Sequence, residues 1–378
     1  MTGPVLVVNS GSSSLKYAVV DPDSGGRRVE GLVERIGEPG SDVPDHVSAF
    51  GRVRAGLTAA DLQPSLVGHR VVHGGALFTD AAVIDDRVIV AITDCVPLAP
   101  LHNPAALAGI RAAELAYPDA VGVAVFDTAF HATMPAAART YALDRDLAAA
   151  HGLRRYGFHG TSHQFVARRT AELLGRPPAS VNLITLHLGN GASACAVAGG
   201  RSVDTSMGVT PLEGLVMGTR SGDVDPAIPL ILSRAGMSAA EIDAALNRNA
   251  GLVGLAGVND MRSVHQRADA GDRDADLARE VFAHRVRHYL GAYVAVLGSV
   301  DAVAFTAGIG EHDAWTRARV CADLLGLGID LDREANERPG AADRRISTAQ
   351  SGISVWVVHT DEELAIARES VRAVAAAG

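Results

Sequence analysis

Residues 5–20 read V-L-V-V-N-S-G-S-S-S-L-K-Y-A-V-V, and residues 183–197 read L-I-T-L-H-L-G-N-G-A-S-A-C-A-V. Each is an apolar run, a turn of small residues and a second apolar run, the pattern of a β-hairpin. Shifted by 178 residues, Gly11 falls on Gly189, Ala18 on Ala196 and Val19 on Val197. Two unrelated hairpins are the alternative. The shared shape predicts an internal duplication, one copy opening each half of the chain.

Further strands are predicted over 66–71, 121–126, 302–306 and 354–358, and helices over 104–117, 162–174, 239–247, 274–297 and 361–377. Strands interleaved with helices in each half indicate an α/β fold. A boundary is expected near residue 150, where a new pattern follows an alanine-rich helix. Residues 37–45 and 332–347, rich in glycine, proline and charge, read as loops.

The chain of 378 residues is long enough for two domains. With 48% hydrophobic and 20% charged residues it has a globular composition. Only 4% is aromatic, which argues against bases or sugars stacked along a groove. The net charge of −9 argues against a nucleic-acid partner, so any anion site has to be made positive locally. Cys95, Cys195 and Cys321 lie far apart, without the spacing of a zinc ribbon or a disulfide framework. The opening apolar run is too short for a signal peptide and lacks a basic start, and no run of about 18 apolar residues is long enough to span a membrane. The expectation is a cytoplasmic protein. Of 34 basic side chains Lys16 is the one lysine, and it sits in the first Gly/Ser turn. Its placement suggests a need for a compact ammonium.

Several segments carry chemistry. In 9–16, Gly11 and the serines around it let the backbone present N–H groups to an anion, and Lys16 adds charge. The pattern is not a Walker loop, and a Ser/Gly hairpin turn is also common in inert proteins. Residues 187–193 (H-L-G-N-G-A-S) and 306–311 (T-A-G-I-G-E) each follow an apolar run and permit close backbone approach. Three such turns favour a nucleotide cleft over structural accident. In G-H-R-V-V-H-G-G (68–75), Arg70 is either an edge-strand arginine in a surface pair or an anion ligand at a strand end. Asp127 ends the apolar strand of V-F-D-T-A-F-H (125–131), a common place for a functional carboxylate in open α/β sheets. Y-G-F-H-G-T-S-H (156–163) sets His159 beside glycine, and His163 reads equally well as a helix N-terminal residue. Residues 204–226 form a long glycine-punctuated loop that holds Arg220.

Together these segments, with P-L-E-G-L-V-M-G-T-R-S-G-D (211–223) and T-D-E-E-L-A-I (360–366), closely resemble the acetate kinase family over nearly the whole chain. That family belongs with the sugar kinases, actin and heat-shock chaperone ATPases. The resemblance implies two duplicated ribonuclease-H-like domains with a nucleotide in a cleft between them. The domains would be 1–150 plus the C-terminal helix 364–378, and 151–363, with a homodimer interface on the second. It implies reversible transfer of the ATP γ-phosphoryl group to acetate, giving acetyl phosphate and ADP, with Mg2+ as the metal and Mn2+ able to substitute. By the same resemblance Asn9 and Glu362 look like the magnesium residues. Ser12, Ser14 and Lys16 look like phosphate contacts, and Arg70 and Arg220 like the pair holding carboxylate and phosphoryl group. His159 looks like a transition-state stabiliser and Asp127 like the catalytic carboxylate. His187, Leu188, Gly189, Asn190, Gly191, Asp260, Met261, Arg262, Gly308, Ile309, Gly310, Glu311 and His312 look like ATP contacts. Val72, Leu101, Phe158 and Pro211 look like the pocket for the methyl group. Asparagine often stands in the family where this chain has Asp361 and His312. A propionate kinase of the same family is the nearest alternative, and a non-catalytic actin-like switch the alternative of another class.

Overall fold

The computed structural model describes residues 3–340 and 342–377. The chain divides into two compact units. One comprises Met1–Ala132, Gly160–Ser162 and Asp361–Gly378, the other Thr133–His159 and His163–Thr360. The ends of the expected domains at residues 1, 2 and 378 lie outside the described residues.

Each unit is built on a six-stranded sheet. The first contains β1 (Val5–Ser10), β2 (Ser14–Val20), β3 (Arg27–Glu34), β4 (Leu66–Val71), β5 (Ala82–Val83) and β6 (Val121–Phe126), in the order β3-β2-β1-β4-β6-β5. The second contains β7 (Asn182–Leu188), β8 (Ala192–Ala198), β9 (Arg201–Thr205), β10 (Ala302–Thr306), β11 (Arg344–Arg345) and β12 (Ser354–Val357), in the order β11-β12-β10-β7-β8-β9. In both, three antiparallel strands open the sheet, two parallel strands join the first of them, and a two-residue antiparallel strand closes the far edge. The predicted duplication is therefore present strand for strand.

The correspondence corrects one detail of the sequence reading. The hairpin β1–β2 closes with Ser10 opposite Leu15, whereas β7–β8 closes with Leu188 opposite Ala192. The second turn is one residue shorter. Gly11 and Gly189 correspond, but past the turn the shift is 177 rather than 178. The bulge on the outer side bears this out, falling between Val19 and Val20 in one sheet and between Ala196 and Val197 in the other. The matches of Ala18 with Ala196 and Val19 with Val197 are one residue out of register, which in a pleated strand means the opposite face.

Central strands β7 and β10 are buried almost throughout, as expected for parallel strands covered on both faces. Helix Arg273–Leu297 packs Phe282, Val286 and Leu290 against the second sheet. Helix Glu362–Ala377 packs across β1, β4 and β6. Gly68 of β4 permits this close approach, because a Cβ there would lie 2.5 Å from Ser370 Oγ and 2.9 Å from Ile366 Cγ2. Strand β3 escaped the sequence reading because R-R-V-E-G-L-V-E is largely charged and exposed. It is a strand because it pairs along β2, and its charges suit a sheet edge.

The loop expected over 332–347 is instead partly ordered. Asp332 caps a helix at Arg333–Glu337 by accepting from Ala335 N, and β11 pairs with β12. The units also divide differently from the boundary near 150. Thr133 Oγ1 donates to Ser202 O at 2.8 Å, and Arg155 donates to the carbonyls of Thr205, Ser206 and Met207. These bonds tie 133–159 to the second sheet. Asp361 is held to the first unit by Arg27 at 2.8 Å.

All three cysteines are buried free thiols, and burial pushes Cys195 and Cys321 up to about 12. Among the described residues no helix is long and apolar enough to cross a membrane.

Candidate active site

In the first unit, parallel strands β1, β4 and β6 end side by side, and open α/β sheets bind ligands beyond such ends. Asn9 lies near the end of β1, Arg70 near the end of β4, and Asp127 directly follows β6. Arg70 donates from Nε to Asp127 Oδ1 at 3.0 Å and from its terminal nitrogen to Oδ2 at 2.7 Å. This two-pronged pair fixes the plane of the guanidinium. Burial opposes the Arg70 charge, yet the carboxylates of Asp127 and Glu362 outweigh it and hold the group above its ordinary value. Beyond Arg70 the chain is clamped by Asn103, fully buried, which accepts from His73 N at 3.2 Å and donates to His73 O at 3.0 Å. Asn103 carries no pattern by which sequence alone would single it out.

Lys16 pairs with Glu363 at 2.5 Å. Glu363 therefore joins the cluster, although only its neighbour Glu362 was expected there. Glu362 is half-buried, and its carboxylate takes no hydrogen bond from any described residue. Burial raises its affinity for a proton, Arg70 opposing and Asp127 adding to the shift. A desolvated carboxylate without a hydrogen-bond donor among the described residues fits a divalent cation that takes one or two protein oxygens and completes its shell with phosphate and water. Ser12 is exposed and Ser14 half-buried in the turn between β1 and β2. Of the expected methyl-pocket residues in this unit, Val72 is half-buried and Leu101 is 53% exposed.

In the second unit, His159 sits at the start of helix Gly160–Leu173 with φ of 56°, a left-handed conformation rare outside glycine. Its Nδ1 lies 2.8 Å from Ser193 Oγ, and its ring stacks on His187 at 4.3 Å. Ser193 Oγ also lies 2.8 Å from His163 Nε2, and His163 Nδ1 lies 2.8 Å from Thr185 Oγ1. His163 is thus a helix N-terminal residue, in the first turn, and also a buried partner of Ser193, which links it to His159. Arg220 meets the same cluster. A Cβ on Gly191 would lie 2.7 Å from the Arg220 guanidinium and 3.4 Å from the His159 ring. Burial lowers the Arg220 guanidinium from its ordinary pKa, and the only bond it donates among the described residues runs to Pro211 O at 2.5 Å. Phe158, expected at the methyl pocket, is 1% exposed and part of the core, while Pro211 is half-buried.

A cavity of about 720 Å³ adjoins this cluster within the same unit. Its wall includes Gly189, Asn190, Asp260, Met261, Arg262, Gly308, Ile309 and His312, all expected at the nucleotide. Asn259, His265 and Asp313 line it too, and the sequence reading missed them. His265 Nε2 lies 2.8 Å from Asp313 Oδ2, and Asp313 caps the helix Ala314–Cys321. Asp260 caps Met261–Asp269 and pairs with Arg262. His187, Leu188, Gly191, Gly310 and Glu311 do not form this wall.

The model of the acetokinase family matches residues 4–368. The chain belongs to the acetokinase family. Within that family, the acetate kinase of Clavibacter michiganensis subsp. michiganensis is 52% identical over 392 residues, which cover 98% of this chain and 99% of that protein. The crystal structure of Porphyromonas gingivalis acetate kinase matches with a TM-score of 0.94 at 40% identity, covering 99% of this chain and 100% of that one. A propionate kinase from Francisella tularensis subsp. tularensis SCHU S4 matches with a TM-score of 0.91 at 40% identity, covering 97% and 99%. The two-sheet α/β architecture is thus that of acetokinase-family structures.

Proposed function

We propose that the protein is a Mg-ATP-dependent acetate kinase, reversibly transferring the γ-phosphoryl group of ATP to acetate. Family membership and full-length identity to acetate kinases support both the kinase activity and the acid. One observation carries the chemistry. The turn 189–191 faces two ways: Gly189 and Asn190 wall the cavity, and Gly191 leaves room for Arg220 and His159. ATP lying against that turn brings its terminal phosphate to a guanidinium without a carboxylate partner and to an imidazole oriented by Ser193. A non-catalytic switch has no use for either.

Acetate is already ionised at neutral pH, so no general base is required. Its oxygen bonds to the γ-phosphorus as the bond to the bridging oxygen breaks, and that electron pair leaves with ADP. The barrier is largely repulsion, since two unit charges about 4 Å apart cost about 4 kcal/mol at an effective dielectric near 20. Arg220 offsets that repulsion, and His159 donates to an oxygen on which charge accumulates. Arg70, held flat by Asp127, is our candidate for the acetate carboxylate, and Asp127 orients it rather than taking a proton. Lys16, Ser12 and Ser14 are proposed phosphate contacts. Asn9 and Glu362 are proposed to hold Mg2+, or Mn2+ in its place, where the ion neutralises phosphate charge.

The test is specificity. Acetyl phosphate should form from ATP and acetate, with kcat/KM falling from acetate to propionate by about tenfold or more, since one methylene in an apolar pocket is worth roughly 1–3 kcal/mol. A preference for propionate overturns the acetate assignment, and no acyl phosphate from any short acid overturns the kinase. We also propose a homodimer, supported by the apolar side chains Leu230 and Ile231, each 57% exposed on helix Ala227–Arg234. Sedimentation at micromolar concentration should give twice the chain mass of 39.1 kDa, and a monomer at all concentrations would exclude it.

A further inference from the structure

The turn at 306–312 offers the cavity Gly308, Ile309 and His312, but not Glu311. The Glu311 side chain is 8% exposed and already engaged. Its Oε1 accepts from Ala307 N at 2.9 Å, from Thr306 Oγ1 at 3.4 Å and from Thr360 N at 3.3 Å. Its Oε2 lies 2.6 Å from His359 Nδ1. Ala307, whose N–H it receives, has φ of 64°, a left-handed conformation that a residue with a Cβ adopts only when its surroundings impose it. The opposite polarity of the same turn is braced from behind. Arg317, 1% exposed, donates to Gly310 O at 2.9 Å and Glu311 O at 3.0 Å, and its other nitrogens are fixed by Asn336.

We infer that Glu311 is a positioning residue: it forces Ala307 into its left-handed conformation and so presents Gly308 and Ile309 to the nucleotide, without touching the nucleotide itself. The carboxylate supplies an acceptor to an N–H at the beginning of a short helix, where the helix provides none. Without it, Ala307 relaxes towards negative φ and carries the next two residues out of the cavity wall. The inference rests on reading that cavity as the nucleotide site.

Calorimetric titration with Mg-ADP, together with steady-state KM values for ATP and acetate, tests it in a set of variants. Glu311→Ala should weaken ADP binding and raise the ATP KM about tenfold, with the acetate KM within about twofold of the parent. Ala307→Gly in that background should recover most of the loss, because glycine takes a positive φ without strain. Glu311→Gln should bind nearly as the parent does, since an amide oxygen accepts what Oε1 accepts. If Glu311→Ala does not fold, Glu311→Asp replaces it, withdrawing the acceptor by one methylene, and Ala307→Gly must again restore binding. The inference is overturned if Ala307→Gly rescues nothing, or if Glu311→Gln is as weak as Glu311→Ala. Failure of the parent protein to bind Mg-ADP overturns the nucleotide reading instead.

Discussion

Replacing Arg220 with alanine should lower kcat by about 10²–10³, a loss of about 3–4 kcal/mol in transition-state stabilisation, without destabilising the fold. The two halves of this expectation have one cause. The guanidinium is desolvated, burial lowers its hold on its proton without neutralising it, and among the described residues no carboxylate offsets its charge. A buried cation left without a counter-charge weakens the folded state, so its removal relieves a cost even though one bond to Pro211 O is lost. That charge is useful only when an anion arrives, and most useful when the anion is a phosphoryl group in transfer. Arg220→Lys should recover little, because a rounded ammonium cannot reproduce a planar fork. Turnover under saturating substrates and a urea melt are the measurements. If only the KM for acetate rises, Arg220 binds the ground state and its transition-state role is wrong.

Acidification should destabilise the parent protein more than a His69→Phe variant, by about 3 kcal/mol between pH 6.5 and 4. His69 is 3% exposed on β4, and burial alone pushes its imidazole from 6.5 down to about 4. Over that window the unfolded chain carries the proton and the folded chain does not, so stability is lost as the pH falls. Each unit of difference is worth about 1.4 kcal/mol, which sets the total. Many carboxylates titrate in the same range, so the signal is the difference between the two proteins rather than either curve by itself. Parallel stability curves from pH 7 to 4 would show that His69 is solvated or bonded when charged.

Much of the candidate site could be read from motifs, because glycine and charge leave a mark in sequence wherever a backbone has to approach an anion. Arg70, Asp127, His159 and Arg220 were all singled out from their glycine-flanked or strand-end placement. The link from Ser193 to His159 and His163 was not, since nothing in a serine's neighbours tells which of two histidines it bonds, and the bonds span 30 and 34 residues. Asn103 is missing from any motif for the same reason, since it works on the backbone of a distant turn. The segment 332–347 read as a loop because its strand has only two residues and its helix five, too short for periodicity to register.

Apolar runs along the chain determined the inner strands, the α/β class and the doubling of the hairpin, since these are local consequences of what each residue can bury. The edge strands β3, β5, β9 and β11 were not legible in this way. Tertiary structure alone decided the register of the second copy, the membership of 133–159 and 361–363 in their units, and the partner of each charged group. Those outcomes depend on which surfaces meet after the chain has turned back on itself. Whether Glu311 faces a ligand or holds a turn is one such case, and our inference that it holds the turn rests on where its two oxygens found donors.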